Sequence, residues 1–173
     1  VLSKKDQVTY FKPVQTGSPT DSHFIENLDL TDVKIKKPVY QLQWGASPDR
    51  AAAKENIVID PDAFSQAIDE TDSRFHVVEG AGGLLVPLND SMKMIDLVSV
   101  FNLPCILVAS TRLGTINHTL LSLEAIRNRQ LDCVGIILNG PKDEGLKELI
   151  ENQSQISVLF EVDQLNEINT STF

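Results

Sequence analysis

An α/β fold built on a mostly parallel sheet, flanked by helices, is predicted for these 173 residues. Three observations predict it. Strand-like and helix-like segments alternate along the chain. Several of the strands are continuous apolar runs, which suit a parallel sheet covered on both faces. The residues that follow those strands are polar or glycine, and in open α/β sheets that edge is where ligands bind.

The elements follow in order. Residues 8–14 (VTYFKPV) read as a strand of β-branched and aromatic residues, stopped by Pro13. A loop rich in Gly, Ser, Thr and Pro spans residues 15–21, and a short helix is expected over 21–30. Residues 34–56 are expected to be irregular, with Pro38 and Pro48 inside them. A helix is expected from Asp60-Pro61 to about Thr71, with Asp60 as N-cap and Pro61 in the first turn. Residues 75–79 form the next strand. A helix over 91–102 places Met94, Ile95, Leu97, Val98 and Phe101 on an apolar face. Residues 103–110 (LPCILVAS) and 133–138 (CVGIIL) are buried strands, separated by a helix over 115–129. A helix over 143–152, a last strand over 156–162 and a weak helical tail complete the pattern. One domain is expected over residues 1–173, with no repeat and no linker.

Composition narrows the function. Apolar residues make up 42% and charged residues 23%, as in ordinary globular proteins, and the net charge is -9. That balance argues against a nucleic-acid partner or an anionic membrane surface, both of which need basic patches. It leaves room for a small anionic ligand held by local lysines and backbone N–H groups. Cys105 and Cys133 lie in apolar runs and are expected as buried free thiols, as in a cytoplasmic protein, rather than as a disulfide or a metal site. No run is long enough to span a membrane, and no signal peptide is seen.

The richest stretch is residues 75–88. An apolar strand runs into a lone carboxylate, Glu79, and then into Gly80-Ala81-Gly82-Gly83. A turn with a solvated Glu79 and a ligand site fit this segment about equally, because glycine clusters are first of all turn signals. Other strand ends add candidates: Lys12, Thr16 and Ser18 after the first, Thr111 and the turn 113–118 after the third, Asn139-Gly140-Pro141 after the fourth. Each has a plain alternative. Lysines are mostly solvated; Asp21 serves equally as an N-cap or a metal ligand; Asn-Gly-Pro is a turn; His118 is a packing or capping residue; Thr115 is the best N-cap of its helix. On one sheet edge they become a lysine, two acids (Asp21 and Glu79) and a helix N-terminus, a set suited to phosphate, Mg²⁺ and carboxylate.

KPVQTGS (12–18), Asp21, VVEGAGGLLVPL (77–88), LPCILVAS, RLGTINH (112–118) and IILNGP (136–141) occur in that order. Together they resemble dethiobiotin synthetase over nearly the whole chain. VEGAGG alone is shared with related amidotransferase-type synthetases; KPVQTG with LGTINH is more specific. The resemblance implies a homodimeric, P-loop-type α/β enzyme of biotin biosynthesis in the cytoplasm. It would close a ureido ring on 7,8-diaminononanoate with CO₂, ATP and Mg. One substrate amine forms a carbamate, the carbamate attacks the γ-phosphate, and the second amine displaces phosphate.

The resemblance also implies roles. Lys12 would be catalytic, stabilising carbamate and phosphate charge. Asp21 and Glu79 would bind the metal and, through it, the nucleotide. Thr16, Gly82 and Gly83 would line the substrate. Gly114, Thr115, Ile116 and Asn117 would hold the substrate carboxylate across a dimer interface. Asn139 would read adenine, since an amide meets both donor and acceptor edges of a base. Glu161 would reach the ribose, although Phe160-Glu161-Val162-Asp163 stands where relatives usually have a Gly and a Pro.

The phosphate-loop pattern G-x-x-x-x-G-K-[ST] occurs nowhere in the chain. In the family it precedes the lysine matched by Lys12, which here has only eleven residues before it, beginning at Val1. The first strand, that loop and most of the first helix are therefore expected to be missing, through a fragment, a misassigned start or a pseudoenzyme. An impaired or inactive chain is then expected, with unpaired strand edges and exposed apolar surface. An edge position for residues 8–14 would support the missing strand. Two alternatives stand beside this reading: a non-catalytic relative that binds a small ligand or partner, and another synthetase of the same P-loop class.

Overall fold

The computed structural model describes residues 6–28, 30–68, 73–165 and 168. In chain order the elements are β1 (Val8–Phe11), β2 (Val14–Thr16), α1 (Asp21–Glu26), β3 (Val33–Lys36), β4 (Tyr40–Leu42), α2 (Pro48–Glu55), α3 (Asp62–Ser65), β5 (Phe75–Val78), α4 (Asp96–Phe101), β6 (Cys105–Ser110), α5 (Thr115–Asn128), β7 (Cys133–Asn139), α6 (Leu146–Ser154) and β8 (Val158–Val162). They form two compact units, one built on residues up to Phe101 and one starting at Asn102.

The first unit holds a three-stranded sheet in the order β3-β1-β5 and a two-stranded sheet, β2-β4, all pairs parallel. The strand expected over 8–14 is two strands. Pro13 has no N–H to continue the ladder, and its carbonyl accepts bonds from Val39 and Tyr40 N–H at 2.9 and 3.1 Å, which hands the chain to the second sheet. β1 is the centre of its sheet, flanked on both sides, and not an edge. Its four residues are all buried.

Residues 34–56 are more ordered than expected: they supply β3, β4 and α2. Pro48 starts α2, where a missing N–H costs nothing, and Asn56 ends it in the left-handed conformation (φ 55°). The expected helix from Asp60 is a single turn, α3, capped at Pro61; the Asp60 carboxylate still accepts the Asp62 N–H at 3.0 Å. Residues 69–71 of that expected helix lie outside the described residues. The helix expected from Ser91 begins only at Asp96: Lys93 is held in an antiparallel bridge with Pro87, and Met94 and Ile95 lie in a turn. A continuous core joins these pieces, with Val14, Leu42, Phe64, Leu88, Met94 and Leu97 buried together.

The second unit is a parallel sheet in the order β6-β7-β8, with α5 packing on β6 and α6 on β8 and the two helices against each other. Leu123 and Ile126 of α5, Ile150 of α6 and Ile136 and Leu138 of β7 are buried. This sheet is not covered on both faces as its sequence led one to expect: Ile106 and Val108 of β6 and Phe160 of β8 are exposed. Both thiols are half-buried rather than buried. The tail expected to be a weak helix is neither helix nor strand over its described residues 163–165.

Among the described residues, β5 pairs only with β1 and β6 only with β7, so each sheet ends on an unpaired parallel edge. No helix among the described residues is long and apolar enough to cross a membrane.

Candidate active site

Adjacent parallel strands in register create the centre of the first unit's site. Phe11 of β1 lies opposite Val78 of β5, so the next residues, Lys12 and Glu79, leave neighbouring strand ends together. The Glu79 N–H donates to the Phe11 carbonyl at 2.9 Å and fixes that exit. Lys12 is buried, and its Nζ donates to Glu79 Oε1 at 2.9 Å and sits 2.6 Å from Asp21 Oδ2. Asp21 arrives from the other side as the first residue of α1. Thr20 is the N-cap there, its hydroxyl accepting the His23 N–H, and this frees the Asp21 carboxylate for Lys12.

The electrostatics follow from the packing. Burial disfavours the Lys12 ammonium, but hydrogen bonds and charge from Asp21 and Glu79 outweigh it and hold its pKa above the ordinary lysine value. The Lys12 hydrogen bond holds the Asp21 carboxyl below the ordinary aspartate value. Two carboxylates around one ammonium leave one negative charge in excess at these strand ends.

Two residues that sequence reasoning passed over complete this cluster. The Tyr10 hydroxyl donates to Glu79 Oε2 at 2.6 Å. Burial first, then the hydrogen bond to Glu79, push the Tyr10 pKa up, so the phenol stays protonated and remains a donor. The available signal was the period-2 spacing, which puts Tyr10 and Lys12 on one face of the chain. Gln15 is buried; its Oε1 accepts the Asp21 N–H at 3.1 Å and its Nε2 donates to the Thr16 carbonyl at 3.0 Å, tying both ends of the loop together.

A cleft of about 330 Å³ opens beside this cluster, with Lys12, Gln15, Thr16, Asp21, Ser47 and Gly82 among its lining residues. Gly82 has φ 78°, a conformation side chains avoid, and lets the backbone turn past the cleft. Gly83 has open space where a side chain would stand. Trp44, stacked under Lys54 with the ammonium 4.1 Å from its ring centroid, anchors the loop that leads to Ser47.

The second unit carries its own cleft, of about 200 Å³, at the ends of β6, β7 and β8. Thr111, Leu138, Gly140, Lys142, Glu161 and Asp163 line it. Asn139 lies between two lining residues, with its side chain exposed and its carbonyl accepting the Thr111 N–H at 3.2 Å. The Thr111 hydroxyl is buried with no protein partner, so it is free for a group that enters this cleft. Gly140 (φ 135°) is required, since a Cβ there would stand 2.5 Å from that hydroxyl.

At the start of α5 the N-cap is Gly114 (φ 94°), not Thr115. Thr115 is the first helical residue, buried, with its hydroxyl 3.5 Å from that of Thr119. Ile116, Asn117 and His118 are exposed on the first turn.

An AAA domain family model matches residues 1–172. The ATP-dependent dethiobiotin synthetase BioD of Paramagnetospirillum magneticum is 36% identical over 172 residues, which cover 99% of this chain and 82% of that protein. The protein of the same name from Agrobacterium fabrum is 38% identical over 92% of this chain and 75% of its own length.

The chain belongs to the dethiobiotin synthetase family.

It is also 40% identical, over 98% of its length, to the biotin biosynthesis bifunctional protein BioCD of Bordetella avium, of which it spans 37%. As a dethiobiotin synthetase relative it has the P-loop NTPase-like arrangement of mostly parallel strands flanked by helices. The relatives are named as ATP-dependent synthetases, and this gives the two clefts their chemistry to be tested.

Proposed function

We propose that this chain serves the dethiobiotin synthetase reaction of its relatives, ATP- and Mg-dependent carboxylation and ureido ring closure of 7,8-diaminononanoate, and that by itself it is impaired or inactive, because its 173 residues hold no phosphate-loop pattern. The observation that carries the reading is the buried Lys12 ammonium between two carboxylates at aligned parallel strand ends. A buried lysine held charged suits a reaction in which a carbamate and then a phosphate carry negative charge.

Asp21 and Glu79 fit a magnesium ion. Mg²⁺ uses one or two carboxylates and completes its shell with water and substrate phosphates. Among the described residues no group of three or more His, Cys, Asp or Glu forms an all-protein cage, and two carboxylates are what this mode needs. Each carboxylate oxygen accepts more than one partner, so the bonds from Lys12 and Tyr10 leave acceptor capacity. Bound ATP with its metal would supply the phosphoryl group that activates the carbamate oxygen. This chain's residues do the rest: Lys12 neutralises charge, Tyr10 and Gln15 hold Glu79 and Asp21 in place, and Thr16, Gly82 and Gly83 border the diamine. The first turn of α5, with Gly114, Thr115, Ile116 and Asn117, would receive the substrate carboxylate in a homodimer. Asn139 and Glu161 would contact the nucleoside in the second cleft, where the unpartnered Thr111 hydroxyl offers a further polar contact. The proposed setting is the cytoplasm, with no nucleic-acid or membrane partner.

The test is phosphate release coupled to dethiobiotin formation, with ATP, Mg²⁺, bicarbonate and diaminononanoate, by this chain and by a form extended upstream at its gene. Product from either supports the assignment. No product from both, with ligand binding retained in calorimetry, would establish a non-catalytic relative instead.

A further inference from the structure

Two thiols meet at the end of the second unit away from its cleft. Cys105 opens β6, Cys133 opens β7, and the two are direct Cα partners in the parallel ladder. Neighbouring strands lie about 4.8 Å apart, inside the roughly 4.4–6.8 Å Cα window that a disulfide spans. The side chains interact as well as the backbones: burial pushes the Cys105 thiol up to about 11, and the adjacent Cys133 thiol, through charge and a hydrogen bond, adds to the rise. Both residues are half-buried, so a small oxidant can reach them. The strand register shifts immediately after Cys105, which breaks the regular ladder and leaves the backbone room to adjust. These are the only cysteines in the 173 residues, so neither has another partner within the chain.

We propose that Cys105 and Cys133 form a reversible redox pair, closed into a cross-strand disulfide by a peroxide or by exchange with a low-molecular-weight disulfide. With a peroxide, one thiolate attacks an oxygen and the O–O bond breaks. The leaving hydroxide takes a proton to become water, and the attacking sulfur becomes a sulfenic acid. The second sulfur attacks it, the S–O bond breaks, and the hydroxyl leaves as water with the second thiol's proton. Two electrons pass from the sulfurs to the peroxide. With glutathione disulfide, the first attack releases one glutathione, and the second breaks the mixed disulfide and releases the other. The structure places this chemistry at the opposite strand ends from Asn139, so the pair is separate from the cleft chemistry.

The experiment equilibrates the intact chain with glutathione buffers of graded ratio, traps free thiols by alkylation and weighs the product. The expected product is a monomer lacking two hydrogens, with its thiol count falling from two to zero and both thiols restored by reductant. Because the fold holds the thiols together, the folded chain reaches half-oxidation at a more reducing ratio than the same chain in urea. Cys105→Ser and Cys133→Ser each keep one thiol and form no internal bond. Equal midpoints in buffer and urea, mixed disulfides that do not resolve, or disulfide-linked dimers as the main product would each overturn the proposal. None of these readouts depends on synthetase activity.

Discussion

Lys12 concentrates the physics of the first cleft into one side chain. It is buried, yet two carboxylates keep it charged. Removing it leaves Asp21 and Glu79 facing one another without a counter-ion, and removes the charge that would stabilise carbamate and phosphate. Lys12→Met is therefore expected to lower turnover of the active enzyme by about 10²–10³-fold, the range seen when one charge-stabilising donor is lost; near-normal turnover would reject the role. The pH dependence has a definite sign. Asp21 has a lowered pKa, so its contribution to stability is present above its ordinary 3.8 and is lost as pH falls through the lowered value. Lys12 has a raised pKa, so its contribution is present below its ordinary 10.5 and is lost as pH rises through the raised value. Urea midpoints of the Lys12→Met variant measured from acid to alkaline pH should lack both limbs. Gly17 gives a backbone counterpart. It has φ 72°, and a Cβ there would lie 2.9 Å from the Gly45 Cα. Gly17→Ala is expected to cost about 1–2 kcal/mol from conformation alone, with more from the close approach, read as a fall in melting temperature.

Elements decide how such residues meet. β1 could be named a strand from its β-branched and aromatic residues, and its end at Pro13 from the missing N–H. Its central place between β3 and β5 could not, because strand order depends on long-range pairing that local pattern does not encode. The register Phe11 to Val78 is what converts two distant strand ends into one site. In the second unit the helix expected over 115–129 is α5, and it has a buried face: Leu123 is fully buried. Leu123→Ala should destabilise this unit by about 2–5 kcal/mol, measurable as an earlier denaturant transition in near-ultraviolet dichroism. The shorter α4 was misread, because Met94 and Ile95 are apolar at helical spacing but lie in the turn beside the Pro87–Lys93 bridge. Buried loop residues mimic helical periodicity when their side chains reach the same core.

At the scale of the whole molecule, the two compact units each carry a cleft beside the ends of parallel strands. The proposed homodimer predicts a sedimentation-equilibrium mass of about twice the monomer, and Ile116→Asp, on the exposed first turn of α5, should shift it towards one copy if that turn meets the partner. The residues alone determined the parallel α/β class, the polar strand ends, the resemblance to dethiobiotin synthetase and the candidate set of Lys12, Asp21 and Glu79. Those features are written in short stretches where spacing and residue type suffice. Only the tertiary structure decided that Lys12 bridges the two acids, that Tyr10 and Gln15 hold them, that Gly114 rather than Thr115 caps α5, and that Cys105 faces Cys133. Each of these depends on which strands lie side by side and in what register, a property of the packed chain rather than of any segment of it.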